Sequence, residues 1–574
     1  MIKILRYLKP YKLWTFLIIG LTLLQSLSQL YLPKLMSDIV DKGVVGKDIG
    51  FILKTGLVML GFTVIVSFCT ILARLYASKT SMGFARDLRK DIFVNVEQYS
   101  LHEFDQIGIS SLITRSTNDV TQIQHVMVMI LSMLLMAPLM LVGGVIMALS
   151  TDVNLSWIIL AVVGALAVLI GIVAGKGIPL FKSIQKKLDK VNLVLRESLT
   201  GIRVIRAFNK EKFEGKRFEE ANQDLTKTSV KVFRIMSIMF PALMLIMNMT
   251  TIAIIWFGGA RVDSGAIEVG DMMAFQQYVM QVMFSIMMAT MLFVMLPRAS
   301  ASAERINEIL DMKNEIIDIE NPLKANSQKG YVEFKDVSFK YKGAEKPVLK
   351  KINFSASPGE TTAIIGSTGS GKSTLINLIP RFYDASDGNV FVDGVDVRKQ
   401  AKTDLREKIG LVPQKISLFT GTIKENILYG KEDASDEEIE NAIKTAQAEE
   451  FISTLEEGTD ANVEQGGANY SGGQKQRISI ARALVRKPEV CIFDDSFSAL
   501  DFKTDSLLRT ALKKETKDST VFIVAQRVST VMNADQILVL DQGEIVGKGK
   551  HKELLKSCDV YKEIVVSQLS EEEQ

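Results

Sequence analysis

The chain is poor in the residues that build metal and disulfide chemistry: its 574 residues hold three cysteines and three histidines. Cys69, Cys491 and Cys558 lie far apart and form no ligand spacing, and His102, His125 and His551 are just as scattered. Neither a thiolate metal centre nor a histidine metalloenzyme is expected, and the thiols read as reduced and inert. Net charge is scarce as well. Lys and Arg number 68 against 65 Asp and Glu, leaving +3, so nothing argues for a nucleic-acid partner. The most informative lack is local, since six long stretches contain no charged residue at all.

These stretches are 13–33, 55–73, 126–151, 153–175, 235–260 and 272–297. Each is close to or above the ~20 residues that carry a helix across ~30 Å of hydrocarbon, so six membrane spans are expected. The first is not read as a cleaved signal, because the segment before it is amphipathic and no small-residue cleavage site follows it. That leading segment, up to Lys12, is expected along the inner interface. Lys182, Lys186, Lys187, Lys190, Arg196, Arg203 and Arg206 crowd the connection between the fourth and fifth runs, whereas little more than Asp152 joins the third and fourth. Positive loops stay in the cytoplasm, which puts both termini inside a multi-pass protein of the cell membrane.

Segments 74–125 and 176–234 are too rich in apolar residues at helical spacing to be loops. Ile184, Leu188, Val191, Leu195 and Leu199 form such a stripe, so the helices should continue well past the bilayer. Aromatic tips at Phe104 and Phe208 interrupt these extensions. Methionines gather in the last two runs, where flexible thioethers suit an adaptable apolar surface. Phe240, Met244, Phe275, Gln277 and Gln281 are the residues expected to line a cavity there, since amides in hydrocarbon need partners or water. No carboxylate lies within any of the six runs.

After about residue 300 charge spreads evenly, as in a soluble α/β domain. Residues 1–311 are read as the membrane domain, 312–330 as a polar linker and 331–574 as the second domain. The run Thr362 to Ile365 is followed by Gly366, Ser367, Thr368, Gly369, Ser370, Gly371, Lys372, Ser373 and Thr374, then by the apolar Leu375 to Ile379. Glycines between a buried strand and a helix let successive backbone N–H groups turn onto phosphate oxygens, and the helix adds its positive end. Lys372 supplies a full charge, and Ser373 offers a hydroxyl to Mg²⁺. A polyphosphate site is expected at this loop. Downstream come Gln414 beside an apolar strand, the helix opening Tyr470–Ser–Gly–Gly–Gln474, and the strand Val490 to Phe493 ending in Asp494 and Asp495. Upstream, Tyr341 closes a strand-like alternation.

The order of phosphate loop, Gln414, YSGGQ, acid-ended strand, Ser498–Ala–Leu–Asp501 and the strand Val521 to Gln526 resembles the nucleotide-binding domain of ATP-binding cassette transporters. With six spans in front, nearly the whole chain resembles a half-transporter of the bacterial multidrug exporter type. The resemblance implies an α-helical membrane domain with long cytoplasmic extensions, then an α/β nucleotide-binding domain with a helical subdomain. It implies that Tyr341 stacks on adenine, that Gly366 to Thr374 hold ATP phosphates, and that Ser373 and Gln414 ligate Mg²⁺ with Asp494 acting through water. Ser471, Gly472, Gly473, Gln474 and Asp501 would act in trans on ATP bound by a partner subunit. The tips at Phe104 and Phe208 resemble coupling helices.

Two positions depart from the family pattern. Asp495 stands where a water-polarising Glu is usual, and Gln526 where the switch His is usual. An Asp can retreat by about 1.5 Å, and errors of about 1 Å can cost ~10²-fold in rate. Gln can donate to a phosphate but carries no charge. The loop and the signature are intact, so this chain is expected to bind ATP at a degenerate site that hydrolyses poorly. It should pair with a homologous, competent subunit to export hydrophobic or amphipathic compounds. The alternatives are a nucleotide-gated regulatory subunit and a lipid or peptide exporter; the lack of a protease-like domain before the first span weakens the peptide-processing form.

Overall fold

The computed structural model describes residues 2–323 and 329–568; residues 324–328 of the expected linker and 569–574 of the expected second domain lie outside the described residues. The chain divides into two compact units. One comprises Met1–Glu97 and Gly108–Met312, the other Gln98–Ile107 and Lys313–Gln574. The short segment Gln98–Ile107 therefore leaves the membrane half that the single boundary at 311 gave it.

In the first unit the described residues form six helices long and apolar enough to cross a membrane: Ile4–Val45, Ile49–Gln98, Ile109–Thr151, Trp157–Thr200, Glu211–Asp263 and Val269–Asp311. At 1.5 Å per residue the 43-residue sixth helix is roughly 65 Å long, about twice the ~30 Å hydrocarbon layer. The apolar stripes outside the charge-free runs thus belong to the same helices. Their apolar faces meet in a core of Ala148, Leu166, Leu243, Ile254, Phe275, Tyr278 and Val282, all nearly or fully buried.

The fourth span begins at Trp157 rather than Val153. Asp152 explains the shift, because its Oδ1 accepts the Leu155 N–H at 2.8 Å and turns the chain before the helix starts. Its other oxygen accepts Arg261 at 2.6 and 3.0 Å, pinning this turn to the end of the fifth helix. Asp119 does the same inside the unit, accepting Ser302 at 2.9 Å and Arg305 Nε at 2.7 Å. The leading segment is tied to protein as well. Tyr7 and Tyr11 donate to Asp91 and Asp87, each at 2.7 Å, and Ile4 is buried.

The second unit holds twelve strands among its described residues. β1 (Val332–Phe339), β2 (Leu349–Ala356), β3 (Thr361–Gly366), β4 (Asp387–Val392), β5 (Val395–Asp396) and β6 (Ile409–Val412) come first. β7 (Gly421–Thr422), β8 (Asn462–Val463), β9 (Val490–Asp494), β10 (Thr520–Val524), β11 (Gln536–Asp541) and β12 (Glu544–Gly549) follow. One antiparallel sheet runs β2-β1-β4-β5, and a six-stranded sheet runs β12-β11-β3-β10-β9-β6. Between β6 and β9 a helical region, including Asp436–Thr445 and Gly472–Leu484, packs as the expected subdomain. β3, β10, β9 and β6 are parallel neighbours, so their C-terminal ends open side by side, where ligands sit in such sheets.

Helices His551–Ser557 and Asp559–Gln568 close this unit, with His551 Nδ1 buried 2.7 Å from the Tyr561 hydroxyl. Burial, aided by Lys552, lowers the His551 pKa below its ordinary 6.5. The unfolded chain therefore binds the extra proton more readily. The resulting stability is complete above about pH 6.5 and declines as pH falls below it. Thermal unfolding followed from pH 7.5 to pH 5.5 (roughly one unit either side of the ordinary histidine value) should show a falling midpoint, and His551→Phe should flatten that slope.

Candidate nucleotide site and transport path

The sheet order assembles the site. β3 leads into the glycine loop, β9 ends at Asp494, β10 reaches Gln526 two residues past Val524, and β6 reaches Gln414 two residues past Val412. Val524 lies opposite Asp494, and Val412 opposite Phe493, so three separated segments converge beside the loop. Gly369 and Gly371 have φ of +84° and +101°, and a Cβ on Gly371 would come within 2.8 Å of Leu349 Cδ2. Lys372 folds its ammonium over the loop, donating to the Gly366 and Ser367 carbonyls at 2.9 and 2.8 Å. Burial lowers its pKa, against the pull of Asp495 and Asp494.

Ser373 Oγ donates to Asp494 Oδ1 at 3.1 Å. Burial raises the Asp494 pKa, with the Ser373 bond and Lys372 opposing and Asp495 adding to the rise. Ser370 Oγ is buried with no protein partner, and Thr374 Oγ1 lies 3.0 Å from the Tyr341 hydroxyl. A loop with a cation folded over it suits a polyphosphate, and a paired hydroxyl and carboxylate suit a hydrated Mg²⁺. Tyr341 stands edge-on to Phe339 and to Tyr383, with centroids 4.8 and 5.4 Å away. Tyr383 had no sequence signal beyond following the loop helix. Its burial pushes the hydroxyl up to about 12.

The two departing residues touch. Gln526 Nε2 donates to Asp495 Oδ2 at 3.0 Å, and Gln414 Nε2 approaches the same oxygen at 3.5 Å. Asp495 itself has φ of +50°, a left-handed conformation that Asp tolerates better than most residues.

Ser471 caps the helix Gly472–Leu484 through a reciprocal pair with Gln474, at 3.3 and 2.9 Å. A Cβ on Gly473 would lie 3.2 Å from the Ala499 carbonyl, so the signature turn and the Ser498–Asp501 turn are neighbours that demand a small residue. Asp501 caps the helix Phe502–Glu515, accepting the Thr504 N–H at 2.9 Å, and that bond first of all lowers its pKa.

Family models described as "ABC transporter transmembrane region" and "ABC transporter" match residues 15–286 and 349–498. An uncharacterized ABC transporter ATP-binding protein of Mycobacterium tuberculosis is 42% identical over 567 residues, which is 98% of this chain and 97% of that one. The chain belongs to the ABC transporter family. The ABC transporter fold here is that of an exporter: the structure of a bacterial Atm1-family ABC exporter with ATP bound superposes with a TM-score of 0.80 at 25% identity, covering 99% of each chain. A fatty acid ABC transporter ATP-binding/permease protein of Mycobacterium bovis is 34% identical over 83% of this ABC transporter and 75% of its own length. As an ABC transporter the chain binds ATP, normally with Mg²⁺, and couples hydrolysis to transport across the bilayer it spans.

The residues expected to line a cavity separate in the structure. Phe240 and Met244 are 70% and 50% exposed on the fifth helix, and Gln277 is exposed on the sixth. Gln281 is half-buried and donates to the Gln29 carbonyl at 3.4 Å. Phe275 is corrected to a packing residue, because it is wholly buried in the helix core and offers no surface to a cargo. Phe104 is half-buried in the helix Leu101–Ile107, whereas Phe208 is 70% exposed beside Asn209, whose φ is +51°.

Asp41 lies shortly after the first charge-free run, beyond Asp38, and is a carboxylate to test for a role with cationic cargo. It is already engaged, accepting the Gly270 N–H at 2.6 Å and Ser37 Oγ at 3.3 Å. Asp41→Ala should therefore lower the thermal stability, by ~1.5–3 kcal/mol for a charged hydrogen bond. It should leave the ratio of cationic to neutral dye transport unchanged within about twofold, since no cargo charge depends on it. Loss of cation transport alone at intact stability would contradict this.

Proposed function

We propose that the chain is the degenerate-site half of a heterodimeric exporter of hydrophobic or amphipathic compounds, a multidrug efflux pump. It holds ATP in its own loop and lends Ser471, Gly472, Gly473, Gln474 and Asp501 to the competent site of a homologous partner. The observation that carries the reading is the bond from the Gln526 amide to Asp495 Oδ2. The carboxylate that would polarise water is a methylene short, and its neighbour is a neutral amide where a proton-carrying imidazole would serve phosphate chemistry. Lys372, Ser373 and Asp494 remain arranged for ATP and Mg²⁺, with Gln414 beside them, so binding and turnover separate at this site. The Lys and Arg content of the connection between the fourth and fifth helices supports a cytoplasmic nucleotide-binding domain and cytoplasmic termini. The exposed aromatic, methionine and amide side chains of Phe240, Met244 and Gln277 support an apolar cargo.

The test is nucleotide trapping in the assembled transporter. After one round with Mg·ATP, intact ATP should remain at this chain's loop while the partner's site holds ADP. Equal hydrolysis at both sites sinks the degenerate-site reading. A second reading, export of a lipid or fatty acid, draws on the fatty acid ABC transporter at 34% identity. Liposomes separate the possibilities: movement of a lipophilic dye favours the first, movement of a labelled fatty acid alone the second. ATP-driven closure without either favours a nucleotide-gated regulatory subunit.

A further inference from the structure

A groove of about 760 Å³ lies in the second unit between the helix Phe502–Glu515 and the short helix Val528–Val531, and it shares no residue with the phosphate loop. Its floor is β10, whose Val521 and Ile523 alternate onto this face while Phe522 and Val524 pack on the other. Ser506, Arg509, Thr510 and Lys513 are spaced three and four apart, so they share the face of the longer helix that forms one wall. Ser529 and Met532 stand on the other wall. No carboxylate is among the lining residues, and Asp505, one turn before Arg509, is already paired with it at 2.7 Å. Arg509 also donates to the Ser529 carbonyl at 2.7 Å, which ties the two walls, and its Nε is buried without a protein partner. Lys513 and Lys514 are exposed, and among the described residues neither has an ion-pair partner. Cations without counter-charge above an apolar floor suit an acidic chain that carries an apolar residue.

The helix Asp559–Gln568 ends at this groove. Gln568 Oε1 accepts the Val528 N–H at 2.8 Å, and its Nε2 donates to the Gln526 carbonyl at 2.9 Å, which fixes the helix end one residue from Ser529. The sequence continues with Leu569 and Ser570, then Glu571, Glu572 and Glu573, then Gln574: one apolar residue followed by three carboxylates. Fully extended, six residues reach ~20 Å. The way to the lysines is shorter, because Ser529 is bonded to Arg509 and Lys513 lies one helical turn, ~6 Å, beyond Arg509.

We propose that this groove is the docking site of the chain's own acidic residues, with Leu569 against the apolar floor and Glu571, Glu572 and Glu573 over Lys513 and Lys514. Exposed ion pairs of this kind are individually weak. The tether compensates, because a short linker holds the carboxylates at an effective concentration of about 1 mM, so an affinity of only ~10⁻⁴ M leaves them docked about nine-tenths of the time. Docking braces Ser529 and Met532 against the helix Phe502–Glu515 and adds to the hold that Gln568 has on Gln526. The docking stands whichever site turns over ATP. An acidic segment of the partner subunit, or of a second copy of this chain, is the competing occupant.

The experiment uses the full transporter with its partner subunit in lipid nanodiscs. A carbodiimide, which joins a carboxylate to an ammonium in direct contact with it, should form amide bonds from Glu571, Glu572 or Glu573 to Lys513 or Lys514. Mass spectrometry should find them in material that migrates as a single chain. As a second readout, an amine reagent should modify Lys513 and Lys514 about fivefold faster in the Glu571→Gln/Glu572→Gln/Glu573→Gln variant than in the native protein. Lys517, exposed and outside the groove, is the internal reference and should stay within about twofold. The triple variant keeps the chain length and Gln568, so its thermal midpoint should match the native one. A chain ended after Gln568 should react as the triple variant does. Equal reactivity of Lys513 and Lys514 in native and triple-variant protein overturns the proposal. So do amide bonds from the three glutamates to other lysines alone, and so do bonds that join Lys513 or Lys514 to another chain, which would give the groove to the partner or to a second copy.

Discussion

Gly473→Val in this chain should lower the ATPase rate of the assembled transporter by about 100-fold or more, whereas Asp495→Glu in the same chain should change it by less than about twofold. The asymmetry follows from which site each residue serves. Gly473 sits one residue inside the helix that Ser471 caps, and even a methyl carbon there would press on the Ala499 carbonyl at 3.2 Å. Valine must push the helix start away from the Ser498–Asp501 turn, displacing the donors that in the proposed scheme act on the partner's ATP. Removing one oriented donor from charge developing in a transition state costs ~10²–10³-fold. Asp495 serves this chain's own site, which contributes little to turnover in the proposed scheme. The converse change, removal of the partner's glutamate at the matching position, should nearly abolish activity. Steady-state ATPase measurements check all three, with binding of a fluorescent ATP analogue at this chain's loop as the control for folding. Similar small losses for Gly473→Val and Asp495→Glu would mean that the two sites share turnover, and the division of roles would fail.

The parts legible from sequence are those where chemistry fixes residue type. A phosphate loop needs glycines at set spacing and a lysine after them, and Gly369, Gly371 and Lys372 adopt the positive φ and the folded-over cation that such a loop requires. The six membrane helices were legible because hydrocarbon excludes charge over a length set by the bilayer. What sequence withheld depends on pairings between distant residues. The strand order that places β10 between β3 and β9 carries no local signal, yet it alone brings Gln526 within 3.0 Å of Asp495. Asp152 read as a mere connector until Arg261, 109 residues away, turned out to hold it. Phe275 misled because an aromatic on a membrane helix looks the same whether it faces a cavity or a neighbouring helix, and only packing decides between them.

The largest gain should come from changing both departing residues together. Asp495→Glu/Gln526→His should raise single-turnover hydrolysis at this chain's site by about 50-fold or more, while each single change gives no more than about threefold. The two side chains are hydrogen-bonded to each other, so their effects should not add. Glutamate alone restores reach toward water. It also places a longer side chain at φ +50°, a conformation that suits Asp and costs most other residues roughly 1–2 kcal/mol, and its carboxylate still meets an amide donor. Histidine alone can carry charge near the γ-phosphate, but the carboxylate opposite it remains a methylene short. General-base catalysis contributes ~10²–10⁴-fold only when the acceptor, the water and the phosphate contact are all in place. The measurement uses labelled ATP with the partner's own site disabled, so that phosphate release reports this loop alone. Additive single effects, or native turnover already equal to that of the double variant, would show that Asp495 and Gln526 are competent as they stand.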